Sequence, residues 1–132
     1  MAKNEYFYGL GRRKSSTARV RLVGGKGTIT INDKPAMEYF AGNESLIHDM
    51  VKPLALLDKT TAYDLSIKVS GGGVHGQAGA ARLAISKALS AMNEDVRSTL
   101  KRADLLVRDS REKERKKFGF KRARKQRQFT KR

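Results

Sequence analysis

The sequence has no cysteine, only two prolines and no apolar run near the ~18 residues that a membrane-spanning helix needs. Without cysteine the chain can form neither disulfides nor thiolate metal sites. Residues 1–5 lack the apolar stretch of a secretory signal, so we expect a cytoplasmic protein with no membrane partner. The only histidines are His48 and His75, and the acidic residues are scattered among basic ones. We therefore expect no metal, no cofactor and no catalytic site.

Acidic residues are scarce relative to basic ones. The chain carries 29 Lys and Arg against 13 Asp and Glu, a formal net charge of +16. This excess attracts a polyanion; it favours nucleic acid as the partner, with an anionic membrane surface as the alternative. Residues 115–132 hold ten basic side chains and no acidic one. We predict a globular RNA-binding domain over residues 1–107 and an extended basic tail over residues 108–132, too polar to fold without a partner.

Alternating apolar and polar residues predict the strands. Residues 6–14 are expected to be extended, with Tyr6 and Tyr8 on one side. Residues 17–23 form a half-buried strand that carries Arg19 and Arg21 on its open face. The glycines of residues 24–27 predict a turn that returns as a second strand over residues 28–31, so we expect a hairpin. The strictest alternation lies in residues 63–69.

Helical signals fill the rest of the domain. Pro35 suits the start of a short helical turn, and Asn43 can cap a helix that Pro53 should divide. Residues 77–92 change to a helical period, and residues 94–100 suggest one more short helix. The order of elements predicts an α+β fold, a small two-layer domain with helices packed on a mostly antiparallel sheet.

A glycine-rich loop joins the predicted strand 63–69 to the long helix. Gly71, Gly73 and Gly76 satisfy G-x-G-x-x-G, which in a dinucleotide-binding enzyme admits a pyrophosphate to a helix N-terminus. That motif requires a second strand after the helix, and the sequence shows none before Glu94. Two alternatives remain: a tight connection with no ligand, or an anion site for an RNA phosphate.

Three ordered blocks of sequence carry a family resemblance. They are Tyr8–Val20, which includes YGLGRRKSSTARV; Gly71–Leu89, which begins GGGVHGQAGA; and Glu114–Arg132, which begins ERKKFGFK. Together they resemble the family of the ninth protein of the bacterial small ribosomal subunit. Leu83 and Ala84 stand where that family usually has His-Gly, a difference expected to alter how the helix approaches RNA. Ser110 and Arg127 stand where proline is common.

The resemblance implies a structural constituent of the small ribosomal subunit, with rRNA, neighbouring ribosomal proteins and the peptidyl-site tRNA as partners. Basic side chains would neutralise phosphates, and interspersed aromatic side chains would stack on unpaired bases. The predicted rRNA-binding residues of the domain are Arg12, Arg13, Lys14, Arg19, Arg21, Gly71, Gly72, Gly73, His75, Gln77 and Arg82. Those of the tail are Arg115, Lys116, Lys117, Phe118, Lys121, Arg122, Arg124, Lys125 and Arg127. The resemblance further implies tRNA contact by Lys131 and Arg132.

Two other functions explain part of the sequence. A nucleic-acid chaperone or nucleoid-type protein would share the charge but bind DNA and RNA alike. A dinucleotide-binding enzyme would bind nicotinamide or adenine nucleotides through the glycine loop. Neither accounts for all three blocks.

Overall fold

The computed structural model describes residues 6–107. These residues form a five-stranded sheet with helices on one face. The strands are β1 (Phe7–Arg13), β2 (Ser16–Gly24), β3 (Ile29–Ile31), β4 (Lys34–Pro35) and β5 (Tyr63–Ser70). The helices are α1 (Ala36–Tyr39), α2 (Glu44–Met50), α3 (Lys52–Leu56), α4 (Val74–Met92), a 3-10 turn (Glu94–Val96) and α5 (Arg97–Arg102). The predicted α+β class is confirmed.

The strand order is β1-β2-β5-β3-β4, and every neighbouring pair is antiparallel except β3 with β5. The expected hairpin between residues 17–23 and 28–31 is therefore wrong. Strand β2 instead forms a hairpin with β1, through a two-residue turn at Lys14 and Ser15. Strand β5 lies between β2 and β3, and its alternation places an apolar side chain, such as Ile67, at every second position against the core.

Asp64 holds the loop that carries the chain from β2 past β5 to β3. Its Oδ1 accepts hydrogen bonds from the backbone N–H groups of Lys26, Gly27 and Thr28 at 2.9, 3.0 and 2.9 Å. On the other side of β3, Asn32 pairs in both directions with the backbone of Val69. These contacts replace the direct β2–β3 hairpin, since they satisfy loop N–H groups that would otherwise lack protein partners.

The hydrogen bonds from Thr28, Lys26 and Gly27, with the nearby charge of Lys26, lower the pKa of Asp64 below its ordinary value of 3.8. A carboxylate whose pKa is lower in the folded state than in the unfolded state stabilises the fold at a pH above its unfolded-state pKa. This stabilisation is lost as the pH falls through the folded-state pKa. We therefore expect Asp64→Ala to destabilise the protein at pH 7 and to flatten the loss of stability below about pH 4. Urea unfolding of both proteins between pH 2 and 7 measures this. An equal pH dependence in the two proteins would contradict it.

Helix α4 crosses β1 and β2 at backbone distance. A Cβ atom at Gly9 would overlap the carbonyl oxygen of Ala84, and one at Gly11 would overlap that of Ala80. Two strand glycines therefore allow the helix to lie directly on the edge of the sheet. Ten of the helix residues are buried, so α4 is the centre of the core and more than its covering layer.

The remaining helices complete the layer over the sheet. Pro53 divides the predicted helix into α2 and α3, as expected. Asn43 occupies the N-cap position of α2 without a side-chain hydrogen bond, and Pro35 precedes α1 as its N-cap. The predicted helix at residues 94–100 is a 3-10 turn followed by α5, which buries Leu100 against the core.

Candidate nucleic-acid interface

Among residues 6–107, the sheet face opposite the helices is uncovered, and its side chains form three rows across the strands. The strand register places Tyr8, Arg21, Ser66 and Thr30 in the first row, and Leu10, Arg19 and Lys68 in the second. The third row contains Arg12, Thr17 and Ser70. We call this surface the open face. It is shallowly concave around Arg12, Arg19 and Lys68.

The open face is strongly cationic. Arg12, Arg19, Arg21 and Lys68 are all exposed on it. Asp64 is the only carboxylate in β1, β2 or β5, and its Oδ1 already accepts three backbone hydrogen bonds. Arg19 and Lys68 are direct cross-strand partners, an arrangement of like charges that destabilises a sheet on its own. An anion over the face removes this repulsion.

Two tyrosines border the cations. Tyr6 and Tyr8 are 51% and 49% exposed, so neither ring is buried in the core. The Arg21 guanidinium lies over the Tyr6 ring, with its Cζ 5.1 Å from the ring centroid, a cation–π geometry. Aromatic rings beside cations on a sheet are the combination that binds unpaired nucleotides.

The predicted rRNA-binding cations between Arg12 and Arg21 lie on two different sides of the sheet. Arg12, Arg19 and Arg21 reach the open face, whereas Arg13 points to the opposite face. The Arg13 side chain packs against α4 so closely that a Cβ at Gly79 would overlap its Cδ. Lys14 lies in the exposed β1–β2 turn, with a φ of 53°. The alternation of a strand thus assigns neighbouring cations to different surfaces.

Packing accounts for most glycines of the loop before α4. Gly71 and Gly72 have positive φ, and a Cβ there would meet Ser15 O and Ser16 Oγ in the β1–β2 turn. Ser16 Oγ also donates a hydrogen bond of 3.0 Å to the carbonyl of Gly71. At Gly73, by contrast, a Cβ would have no other described residue's atoms within 4 Å apart from its chain neighbours. Among residues 6–107 no strand follows α4, so a dinucleotide-binding unit is not formed there.

The other predicted residues near this loop differ in accessibility. The Gln77 side chain forms hydrogen bonds within the domain. Its Oε1 accepts a hydrogen bond from Tyr39 OH at 2.7 Å, and its Nε2 donates one to Gly71 O at 3.1 Å. His75 is exposed in the first turn of α4, and Arg82 is half-buried. Ala84 is buried where α4 lies against Gly9, so this position bears on helix–strand packing, and Leu83 is 5% exposed.

The open face contains residues that the sequence-based site omitted: Tyr6, Tyr8 and Lys68. The sequence does indicate that these side chains lie on the polar side of their strands, because Lys68 alternates with Ile67 and Val69, and the tyrosines alternate with Phe7. Only the strand order, however, brings β5 next to β2. Beyond the edge of β1, Leu10 and Arg12 share a groove with Leu83 and Lys87, which extends the cationic surface around the sheet.

The predicted residues of the tail, from Arg115 to Arg132, lie outside the described residues. In the part of the chain that the structure covers, no helix is long and apolar enough to cross a membrane.

Comparison with known proteins completes these observations. A family model described as ribosomal protein S9/S16 matches residues 11–132. The chain is 53% identical over 126 residues to small ribosomal subunit protein uS9 of Ureaplasma urealyticum serovar 10, covering 96% of this chain and 94% of that protein. It is 52% identical over 129 residues to the uS9 protein of Malacoplasma penetrans, covering 98% of both. The chain therefore belongs to the S9 family of ribosomal proteins, as a bacterial-type constituent of the small subunit and not an enzyme.

Proposed function

We propose that this ribosomal protein binds small-subunit rRNA through the open face of its sheet. The observation that carries the proposal is the cluster of Arg12, Arg19, Arg21 and Lys68 on a surface whose one strand carboxylate, Asp64, accepts hydrogen bonds from the backbone. Phosphates supply the negative charge that this surface lacks. Arginine suits the task because its planar guanidinium can donate two parallel hydrogen bonds to phosphate oxygens.

A second contact is proposed at the turn and the loop that pack together beside the open face. Lys14 and His75 are exposed there, and Gly73 leaves room for a backbone to approach the first turn of α4. The backbone N–H groups of a helix N-terminus favour an anion. Arg13, Gly71, Gly72 and Gln77 support this proposal indirectly, since they pack or hydrogen-bond within the domain near this turn and loop. The half-buried Arg82 of α4 is proposed as a further contact.

We further propose that the tail binds RNA with the ten cations of residues 115–132 and reaches the peptidyl-site tRNA with Lys131 and Arg132. The support is the charge of residues 115–132 and the match of the family model through residue 132. In this proposal the domain anchors the protein in the subunit, and the tail steadies tRNA without making or breaking a bond. The protein acts in the cytoplasm, beside neighbouring ribosomal proteins. Family membership disfavours the alternative of a general nucleic-acid chaperone.

Sedimentation of tagged chains with small subunits, in high-salt gradients of bacterial lysate, tests the division of labour between domain and tail. We expect the full-length chain to co-migrate with small subunits. We expect a chain that ends at Glu114 to co-migrate as well, because the open face is intact, but to hold less tRNA in the peptidyl site of purified subunits. A chain lacking only Lys131 and Arg132 should show the tRNA defect alone.

Two outcomes would contradict the proposal. If the full-length chain stays at the top of the gradient, it does not bind the subunit. If the chain ending at Glu114 is released while the full-length chain is retained, the tail is the anchor and the open face is not. If all three chains retain tRNA equally, the proposed tRNA contact is wrong, while the proposed rRNA binding stands.

A further inference from the structure

We infer that the open face takes an unpaired segment of RNA, with bases stacked on Tyr6 and Tyr8 and phosphates on the cations of the neighbouring row. This inference deepens the proposed rRNA binding and rests on it. It specifies the kind of RNA that fits the surface: single-stranded nucleotides with accessible base faces, in place of a regular duplex.

The tyrosines are placed where bases can reach them. Tyr8 lies on the edge strand β1, directly opposite Arg21 in the register, and Tyr6 precedes the same strand. About half of each tyrosine side chain is exposed. Because the Arg21 guanidinium covers one face of the Tyr6 ring, a base stacked on the opposite face would complete a base–Tyr6–Arg21 sandwich.

Two further cations, Arg19 and Lys68, lie in the row beside the tyrosines. Along a strand, residues two apart on one face are separated by about 7 Å, so the row of Arg19 and Lys68 runs parallel to the row of Tyr8 and Arg21. A single strand laid on the face can therefore place its bases over the first row and its phosphates over the second. Ser66 and Thr30 continue the first row with hydroxyl groups that can donate to or accept from base edges.

A duplex does not fit these features. A paired and stacked helix presents phosphates and riboses to a shallow surface, and it satisfies cations but offers no base face to an aromatic ring. A surface that binds only duplex would need the four cations but not the two half-exposed tyrosines. A protein partner is disfavoured by the charge, since like charges face each other at Arg19 and Lys68.

Ultraviolet crosslinking within the small subunit tests the stacking directly. Subunits that contain the full-length chain are irradiated at short wavelength, and nucleotide adducts on its peptides are located by mass spectrometry. We expect adducts at Tyr6 or Tyr8. Tyr39 and Tyr63 are the internal controls, because both are half-buried against the core and should carry none.

Paired variants supply the energetic test. Small subunits depleted of this protein are titrated with full-length chains carrying Tyr6→Leu and Tyr8→Leu, or Tyr6→Phe and Tyr8→Phe. Loss of stacking on two aromatic rings predicts binding weakened about 30-fold or more for the leucine pair, and nearly unchanged binding for the phenylalanine pair. Circular dichroism melting of both pairs checks that the fold is retained.

The outcomes separate this inference from the function on which it rests. If wild-type and both paired variants bind the subunit equally and no adduct forms at Tyr6 or Tyr8, stacking is overturned while rRNA binding stands. A crosslink from these tyrosines to a ribosomal protein would also overturn it, in favour of a protein contact. If the wild-type chain itself fails to bind the subunit, the proposed function fails first.

Discussion

Gly11→Val is expected to lower the free energy of unfolding by about 3 kcal/mol, the upper end of the cost of overpacking a core. The reason is the contact of β1 with α4: a Cβ at this position would overlap the carbonyl oxygen of Ala80, which is helix backbone and cannot rotate away. The helix and the edge strand must separate, and the core between them opens. Because a domain of this size has a total stability of only about 5–15 kcal/mol, a large part of it is lost. Urea unfolding of the full-length chain measures the change.

Gly24→Val is the matched control. Gly24 is also a strand glycine, but within residues 6–107 a Cβ there would meet no atom within 4 Å. Valine has a high strand propensity, so we expect a change within about 0.5 kcal/mol in either direction. Equal stability of the Gly11 and Gly24 variants would show that α4 does not lie on β1 at backbone distance.

A triple variant of the open face, Arg19→Gln, Arg21→Gln and Lys68→Gln, is expected to bind depleted small subunits about 100-fold more weakly than the wild-type chain, because hydrogen bonds from charged groups are among the strongest in proteins. Removing three phosphate contacts should also reduce the slope of log K against log salt by about 2, at roughly 0.7 per phosphate of a single strand. Titrations at several salt concentrations give both quantities. The variant should fold at least as well as the wild-type chain, since it relieves the repulsion between Arg19 and Lys68.

The control removes the same charge from the other side of the molecule, with Lys52→Gln, Lys101→Gln and Arg102→Gln. These three cations are exposed on α3 and α5, away from the open face. If binding depended on net charge alone, both triple variants would lose affinity equally and the open face would have no special role. A loss confined to the first triple variant identifies the face.

Local features of this fold were predictable because local physics sets them. The alternation of residues 63–69 predicts β5, the 3.6-residue period of residues 77–92 predicts α4, and Pro53 predicts the break between α2 and α3. The same alternation predicts Arg19 and Arg21 on an open surface. Each of these inferences uses residues only a few positions apart in the chain.

The errors came from contacts between distant residues. The glycines after β2 have the composition of a hairpin turn, but Asp64, far along the chain, binds the N–H groups of this loop and β5 takes the place beside β2. The packing of Gly71 and Gly72 likewise depends on distant residues, because a Cβ at either position would meet the turn at Ser15 and Ser16. Their contact with RNA stays a prediction. The neighbours of Lys68 could not be predicted without the strand order. The site residues of the tail and the boundary at residue 107 stay predictions.

The late position of β5 in the chain has a consequence for synthesis. Strands β1 to β4 and helices α1 to α3 are translated before the strand that joins them, and Ala80 and Ala84 follow later still. Until then β2 has a neighbour on one side only, and its apolar residues Val20 and Leu22 have no helix to cover them. Contacts between such distant residues also slow folding, because a long loop must close before they form. The growing chain therefore cannot complete its core until α4 has left the ribosome and can settle on Gly9 and Gly11.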